Sequence, residues 1–228
     1  MLTGVILHHY AKVKVAVKTY PDTLVCRKER TMGDLKKTVK SLEQRGHVVR
    51  VFPTGKEAAD YLVGEIRNTE VGIGGCMTAE QIGLYEKLSE KNVVYWHWRS
   101  QDPDIRKKEN EAPVFITGCN AISEDGEILN IDGSGNRLAG QVFGNKKVYF
   151  ISGINKICPD FDSALFRARN VASVTNAARF DIKTPCKLDG QCHNCLSKDR
   201  ICNALLVIWG PMIGMETEVI LIEEDLGY

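Results

Sequence analysis

Four cysteines near the end of the chain have a spacing that suits a metal site. They are Cys186, Cys192, Cys195 and Cys202, with five, two and six residues between successive members. A pair separated by two residues supplies two thiolates from one tight turn, and nearby single cysteines can fold back over it. Structural zinc sites often combine two such pairs, and this sequence has one, so the irregular spacing favours an iron–sulfur cluster of the four-iron type. A structural zinc ion is the alternative.

The N-terminal segment and the net charge predict the cellular compartment and the kinds of partner this protein can bind. The segment Met1–His9 has no basic start and no small-residue cleavage site, so we expect a cytoplasmic protein whose eight cysteines are reduced. Thirty Lys and Arg residues against 29 Asp and Glu residues give a net charge of +1. That balance predicts no binding to nucleic acid or to an anionic membrane, but scattered basic residues can still serve a small anionic ligand.

Apolar periodicity predicts an α/β fold. Leu35, Val39 and Leu42 are spaced for one face of a helix that stops at Gly46. Strand and helix patterns then alternate with short connections, which is typical of parallel strands joined by crossover helices. The predicted strands are 12–18, 48–52, 71–73, 114–117, 128–131, 147–152, 205–209 and 218–222.

Residue types also predict a long helix and an exposed connection. Asp160 is expected to cap a long helix whose inner face holds Ala164, Ala168, Val171, Ala172 and Thr175. The charged stretch 99–111 is expected to be a solvent-exposed connection, and His97, between two tryptophans, is expected to serve packing.

The segment Val71–Thr78 ends a strand and opens a helix. Gly74 and Gly75 would let the backbone approach a ligand closely, although a strand-to-helix turn also needs glycine for steric reasons alone. Thr78, followed by Gln81, matches a capping box that places the helix start there.

Two later loops carry amides and cations after predicted strands. Asn136 and Arg137 follow Gly133 and Gly135, and the segment Gly153–Lys156 repeats the pattern with Asn155 and Lys156. In open α/β sheets ligands collect at the carboxyl ends of the strands. These residues therefore predict a pocket for a carboxylate or phosphate, with simple turns and surface charges as the other interpretation.

Five separated motifs together resemble the LUD domain family. They are Val71–Thr78, Gly118–Ala121, Asp132–Arg137, Gly153–Lys156 and Lys183–Cys202. The resemblance implies a three-layer α/β sheet with flanking helices, similar to CoA transferases and ribose-5-phosphate isomerase, with a C-terminal cysteine loop at 183–203. It covers residues 32–228 and leaves 1–31 as an atypical extension. Many relatives have serine where this chain has Cys76.

The family resemblance also implies a metabolic setting. Its named members act in bacterial lactate utilisation beside subunits that carry iron–sulfur clusters, and for many members no reaction is assigned. We therefore expect a small anionic metabolite such as a 2-hydroxy acid, with other iron–sulfur subunits or a second copy of the chain as partners. The alternatives are a stand-alone enzyme with transferase-like or isomerase-like chemistry, and a non-catalytic binding module, either of them stabilised by zinc.

In the binding pocket, Gly74, Gly75 and Cys76 are expected to admit the substrate, and Asn136, Arg137, Asn155 and Lys156 to hold it. We further expect the glycine loops and the cysteine loop to line one cleft.

Overall fold

The computed structural model describes residues 33–228, which form two β-sheets with helices packed around them. The predicted strand at 12–18 and the extension 1–31 lie outside these residues. The strands are β1 (Val48–Phe52), β2 (Glu70–Ile73), β3 (Val93–Tyr95), β4 (Val114–Gly118), β5 (Ala121–Ser123), β6 (Ile128–Asp132), β7 (Lys147–Gly153), β8 (Ile157–Cys158), β9 (Ala204–Ile208) and β10 (Glu216–Ile222). The α-helices are α1 (Leu35–Gln44), α2 (Gly55–Glu65), α3 (Met77–Gln81), α4 (Leu84–Ser89), α5 (Ile105–Glu111), α6 (Asn136–Val142), α7 (Phe161–Arg167), α8 (Ser173–Ala178) and α9 (Cys186–Asp189).

The larger sheet has six strands in the order β1-β10-β7-β4-β2-β3, and every neighbouring pair is parallel. Its central strands are apolar on both faces, as a parallel sheet covered on both sides requires. In β7, Val148 and Phe150 face one side while Tyr149 and Ile151 face the other, and all four are buried. The predicted three-layer α/β architecture is confirmed.

Different elements pack on the two faces of this sheet. Helices α2, α3 and α4 cover one face, where Leu62, Ala79 and Leu88 pack against strand residues. Helix α1 and the second sheet cover the other, where Leu42 and Ile128 join the core. Burying each large apolar side chain stabilises the fold by about 1.5–3 kcal/mol, so these two cores hold the layers together.

The second sheet has four strands in the order β8-β5-β6-β9. Strand β6 is antiparallel to both β5 and β9, while β5 and β8 are parallel. Ala164 and Ala168 of the following helix pack against Ala121 and Leu129 of this sheet. The small side chains let the helix axis approach the sheet closely, so the helix becomes an outer layer.

The long helix after Asp160 contains a wider turn than predicted. Asp160 caps it as expected, since its Oδ1 accepts a hydrogen bond from the Ser163 N–H (2.7 Å). Residues Ala168–Ala172 then form a π-helical turn, and the Ser173 hydroxyl donates to the Ala168 carbonyl (2.8 Å). Because a π turn holds one more residue than an α turn, the inward face shifts across it.

That shift corrects the predicted inner face of the helix. Ala164, Ala168 and Ala172 are buried as predicted, but Val171 and Thr175 are exposed. Val174 and Ala177 are buried in their place.

Three other local features differ from what the sequence pattern indicates. Within residues 33–228, β1 pairs with β10 alone, and its apolar Val48 and Val51 are 48% and 38% exposed. Cys76, and not Thr78, caps α3, with its Sγ accepting from the Ala79 N–H (3.3 Å). The stretch predicted as an exposed connection contains α5, whose Glu109 is fully buried.

No helix in the described part of the chain, residues 33–228, is long and apolar enough to cross a bilayer.

His47 makes the stability of the fold depend on pH. It is buried between α1 and β10, where Nδ1 lies 2.6 Å from the Thr217 hydroxyl and Nε2 has no hydrogen-bond partner within residues 33–228. Burial, reinforced by the charge of Arg45, lowers the pKa of His47 to about 4. The folded state therefore binds fewer protons than the unfolded state, whose histidine titrates near 6.5.

We expect the free energy of unfolding to be fully retained above pH 6.5 and to fall as the pH drops from 6.5 toward about 4, by about 3 kcal/mol at most. Urea melts across this range measure the slope, and His47→Gln should flatten it. A slope unchanged in His47→Gln would contradict this assignment.

Candidate anion cleft and cysteine hollow

A cavity of about 380 Å³ lies where the strands of the larger sheet end. Parallel strands deliver their carboxyl ends to one edge, and the segments after β2, β3, β4 and β7 contribute Gly75, His97, Cys119 and Lys156 to its lining. The loop after β6 and helix α8 supply further walls. The volume lies within the range of small-molecule sites.

The charges around the cleft are predominantly positive. Asp132 is its single carboxylate side chain among residues 33–228. The five cationic side chains that line it are Arg106, Arg137, Lys156, Arg179 and Arg200. This imbalance favours an anionic ligand.

Lys156 is a buried cation of the cleft with few polar partners among residues 33–228. It follows β7 in a short 3₁₀ turn, is 3% exposed, and donates from Nζ to the Thr78 hydroxyl (3.2 Å). It forms no ion pair with any carboxylate of the described chain. Burial lowers the pKa of Lys156, and the positive charges of Arg167 and Arg137 lower it further, against the opposite influence of two cysteines. An ammonium group in this setting has donor capacity to spare.

Arg137 also lines the cleft but is fully engaged with its own surroundings. Its guanidinium donates to Oδ1 of Asn130 (2.7 Å), to Oδ1 of Asn120 (3.3 Å) and to the carbonyl of Ile131, and Nε lies 3.9 Å from Asp132. Burial lowers the pKa of Arg137, while Asp132 acts in the opposite direction. Arg137 therefore contributes positive charge to the cleft and also anchors the loop after β6.

Two buried thiols lie in the cleft, Cys76 after β2 and Cys119 after β4, each 2% exposed. Burial raises the pKa of Cys76, although Lys156 and the Ala79 N–H favour its thiolate. The thiol caps α3 through the hydrogen bond that its Sγ accepts from the Ala79 N–H.

A histidine and a buried glutamate form a pair that the sequence prediction missed. Nδ1 and the backbone N–H of His97 lie 2.7 Å and 2.5 Å from Oε1 of Glu109, and Asn136 donates to Oε2 (3.3 Å). Glu109 sits under His97 because α5 packs directly on β2. A Cβ at Gly72 would lie 1.9 Å from the Glu109 carbonyl oxygen, so only glycine permits this approach.

Of the seven residues predicted to form the pocket, five line the cleft and two do not. The five are Gly75, Cys76, Asn136, Arg137 and Lys156. Gly74 does not line the cleft, because it is buried beneath Arg137 and Phe115, where a Cβ would come within 3.1 Å of both side chains. Asn155 does not either, because it faces the segment after β10, near the Leu226 N–H.

The four cysteines of the 183–203 loop line a second, smaller hollow. Cys186, Cys192, Cys195 and Cys202 are all partly exposed free thiols. Among residues 33–228, no three Cys, His, Asp or Glu side chains stand close enough together to bind one ion. The donor set nevertheless fits a thiolate-bound centre, since all four sulfur-bearing residues face one hollow.

The hollow adjoins the anion cleft. Ser173, Arg200 and Ile201 line both. Arg200 donates to the carbonyls of Cys202 (2.9 Å) and Cys195 (2.8 Å), and the backbone of Ile201 packs against Gly133, where a Cβ would lie 2.7 Å from its carbonyl. The cysteine loop is thus one wall of the cleft.

The six-stranded parallel sheet, covered on both faces and with a cationic cleft at its strand ends, makes this a three-layer α/β protein. The LUD domain family model matches residues 35–222, and the chain belongs to that family.

Two of the solved structures that are similar to this chain match it at low sequence identity. A DUF162 family protein from Deinococcus radiodurans is 12% identical, with a TM-score of 0.49 over 82% of this chain and 95% of that one. The eIF2B beta subunit from Chaetomium thermophilum is 16% identical, with a TM-score of 0.30 over 56% of this chain and 44% of that one. No curated protein sequence matches the chain.

We expect Lys156→Met to stabilise the ligand-free protein, on the order of 1 kcal/mol, because it removes a buried charge that lacks a carboxylate partner. The folded-state pKa of Lys156 is lowered, so the unfolded state binds more protons in the range below 10.5. Wild-type stability therefore rises as the pH approaches 10.5, and the advantage of Lys156→Met should shrink there. Denaturant melts at neutral and alkaline pH measure both effects, and a destabilised Lys156→Met at neutral pH would contradict them.

Proposed function

We propose that this protein binds a small anionic metabolite, such as a 2-hydroxy acid, in the cationic cleft and supports its oxidation beside a metal centre. The observation that carries the proposal is Lys156, a buried cation that lines the cleft and whose one polar partner among residues 33–228 is the Thr78 hydroxyl. Desolvating an ammonium costs free energy, and an anion bound in the cleft would recover that cost.

The remaining lining supports a carboxylate ligand with additional polar groups. Asn120, Asn136 and Asn176 offer amides, and Ser134 and Ser173 offer hydroxyls. Arg179 stacks over Trp98, 4.6 Å from its ring centroid, which fixes a second cation at the cleft wall. The volume of about 380 Å³ also admits anions larger than lactate.

The second part of the proposal is that Cys186, Cys192, Cys195 and Cys202 hold one metal centre. Their common hollow and their all-thiol donor set support it. An iron–sulfur cluster of the four-iron type would supply one-electron transfer next to the bound metabolite, whereas a zinc ion would stabilise the loop. Arg169 and Arg200 are placed to offset the negative charge of four thiolates: Arg169 Nη2 lies 3.8 Å from Cys192 Sγ, and Arg200 also lines the hollow.

Anion binding is tested by titrating the full chain with L-lactate and L-malate in a calorimeter. We expect Lys156→Met to weaken binding roughly 10-fold to 100-fold, the range for one charge-assisted hydrogen bond of about 1.5–3 kcal/mol. Lys56→Met is the matched control, because Lys56 lies on the surface of α2, paired with Asp60. Equal affinities in wild type and Lys156→Met, or no binding of either anion by wild type, would contradict the proposal.

The metal centre is tested by purifying the full chain without oxygen and measuring iron, zinc and acid-labile sulfide. We expect brown protein with iron and sulfide in equal amounts, and loss of both in Cys192→Ser and Cys195→Ser. Cys158→Ala is the control, because Cys158 lies in β8, away from the hollow. Colourless protein with one zinc per chain would indicate a structural zinc ion instead of a cluster. Metal-free protein would contradict both assignments.

A further inference from the structure

His97 lines the cleft and is paired with Glu109, and the proposed function gives neither residue a role. The His97 side chain is 15% exposed and that of Glu109 is fully buried, so the pair joins the interior to the cavity. A carboxylate accepts hydrogen bonds and cannot donate them. The Nδ1 atom, 2.7 Å from Oε1, must therefore carry the proton when the ring is neutral.

The tautomer leaves the lone pair on Nε2, and Nε2 points into the cleft. A Cβ on Gly75 would lie 3.9 Å from Nε2 and 3.8 Å from Cε1, so the absence of a side chain at Gly75 keeps the space in front of the ring open. In the described part of the chain Nε2 has no hydrogen-bond partner. Trp98 packs against the ring edge, with centroids 6.1 Å apart, and limits its rotation.

The carboxylate of Glu109 is itself fixed from three directions. The backbone N–H of His97, the ring Nδ1 and the Asn136 amide all point at it, and its helix is pressed onto β2 at Gly72. A purely structural link between the segment after β3 and α5 would be complete with the backbone hydrogen bond alone. The ring contact adds an oriented imidazole at the wall of a cationic cleft.

We propose that His97 is the proton-transferring group of the cleft and that Glu109 is its positioning residue. With an anion held by Lys156, Nε2 accepts a hydrogen bond from a hydroxyl of the ligand and takes its proton. The O–H bond breaks, its electron pair stays on the oxygen, an N–H bond forms on Nε2, and the Glu109 carboxylate stabilises the imidazolium. This inference rests on the proposed function, because it requires the anion in the cleft.

Two ligands that differ by one hydroxyl test the contact. We expect wild-type protein to bind L-lactate roughly tenfold more tightly than propionate, the value of about one hydrogen bond. His97→Phe keeps a flat ring without nitrogen and should bring that ratio to about one. Lys156→Met should weaken the binding of both ligands and leave the ratio unchanged.

The outcomes separate this inference from the proposed function. If wild type binds lactate and propionate equally well, or if His97→Phe keeps the tenfold ratio, the role of His97 is overturned while anion binding stands. If wild type binds neither ligand, the proposed function fails, and with it the ligand assigned to His97.

A spectroscopic measurement tests the positioning role of Glu109 without any ligand. The ¹⁵N shifts of histidine-labelled protein in mildly alkaline buffer distinguish protonated from unprotonated ring nitrogens, and the His97→Phe spectrum assigns the His97 signals. We expect a protonated Nδ1 and an unprotonated Nε2 in wild type, and loss of this preference in Glu109→Met, which removes the acceptor. Glu111→Met, on the exposed side of α5, is the control and should match wild type. A protonated Nε2 in wild type, or a Glu109→Met spectrum like that of wild type in folded protein, would overturn the assignment.

Discussion

The parallel pairing of the central strands is the constraint on which the cleft depends. Because β2, β4, β7 and β10 run in one direction, the segments that follow them leave the sheet at the same edge. Cys76, Cys119 and Lys156 come from three different strands and still share one cavity. An antiparallel neighbour would send its polar end to the opposite edge. Apolar burial on both faces of the sheet supplies the stability that lets this edge carry polar and charged side chains.

Arg137 and Lys156 are the most buried of the cations that line the cleft, and their charges have different surroundings. Arg137 is surrounded by the oxygens of Asn130, Asn120 and Ile131, so its charge is used locally and shapes the loop. In the part of the chain that the structure describes, Lys156 donates to the Thr78 hydroxyl alone, and in the proposed function its remaining donor capacity serves the bound anion. A buried cation with few hydrogen-bond acceptors lowers the stability of the fold, and such locally unfavourable residues are common at binding sites.

The parts that sequence predicted well were governed by local pattern. Helix α1 follows from the spacing of Leu35, Val39 and Leu42, and the parallel sheet follows from strand and helix alternation. The predictions that failed concern residues whose surroundings are set by contacts between segments distant in sequence. The burial of Glu109 arises because α5 meets β2 at Gly72, and a charged run gives no local signal of that contact. A Glu twelve residues after a His that closely follows a strand was the available signal. Gly74 and Asn155 were ligand-like in type but are used for packing.

The π turn at Ala168–Ala172 gives the long helix one residue more than a regular α-helix holds over the same rotation. Deleting one residue there would close an ordinary α turn and leave the residues after it facing nearly the same way relative to α7. Ser173 would still face both hollows, and the loop that starts a few residues after α8 would leave in the same direction. A deletion elsewhere in α7 or α8 would instead rotate everything after it by about 100° and re-aim the four cysteines. Insertions and deletions are usually tolerated in surface loops, but in this outer helix the π turn is the place where a single-residue change can be absorbed.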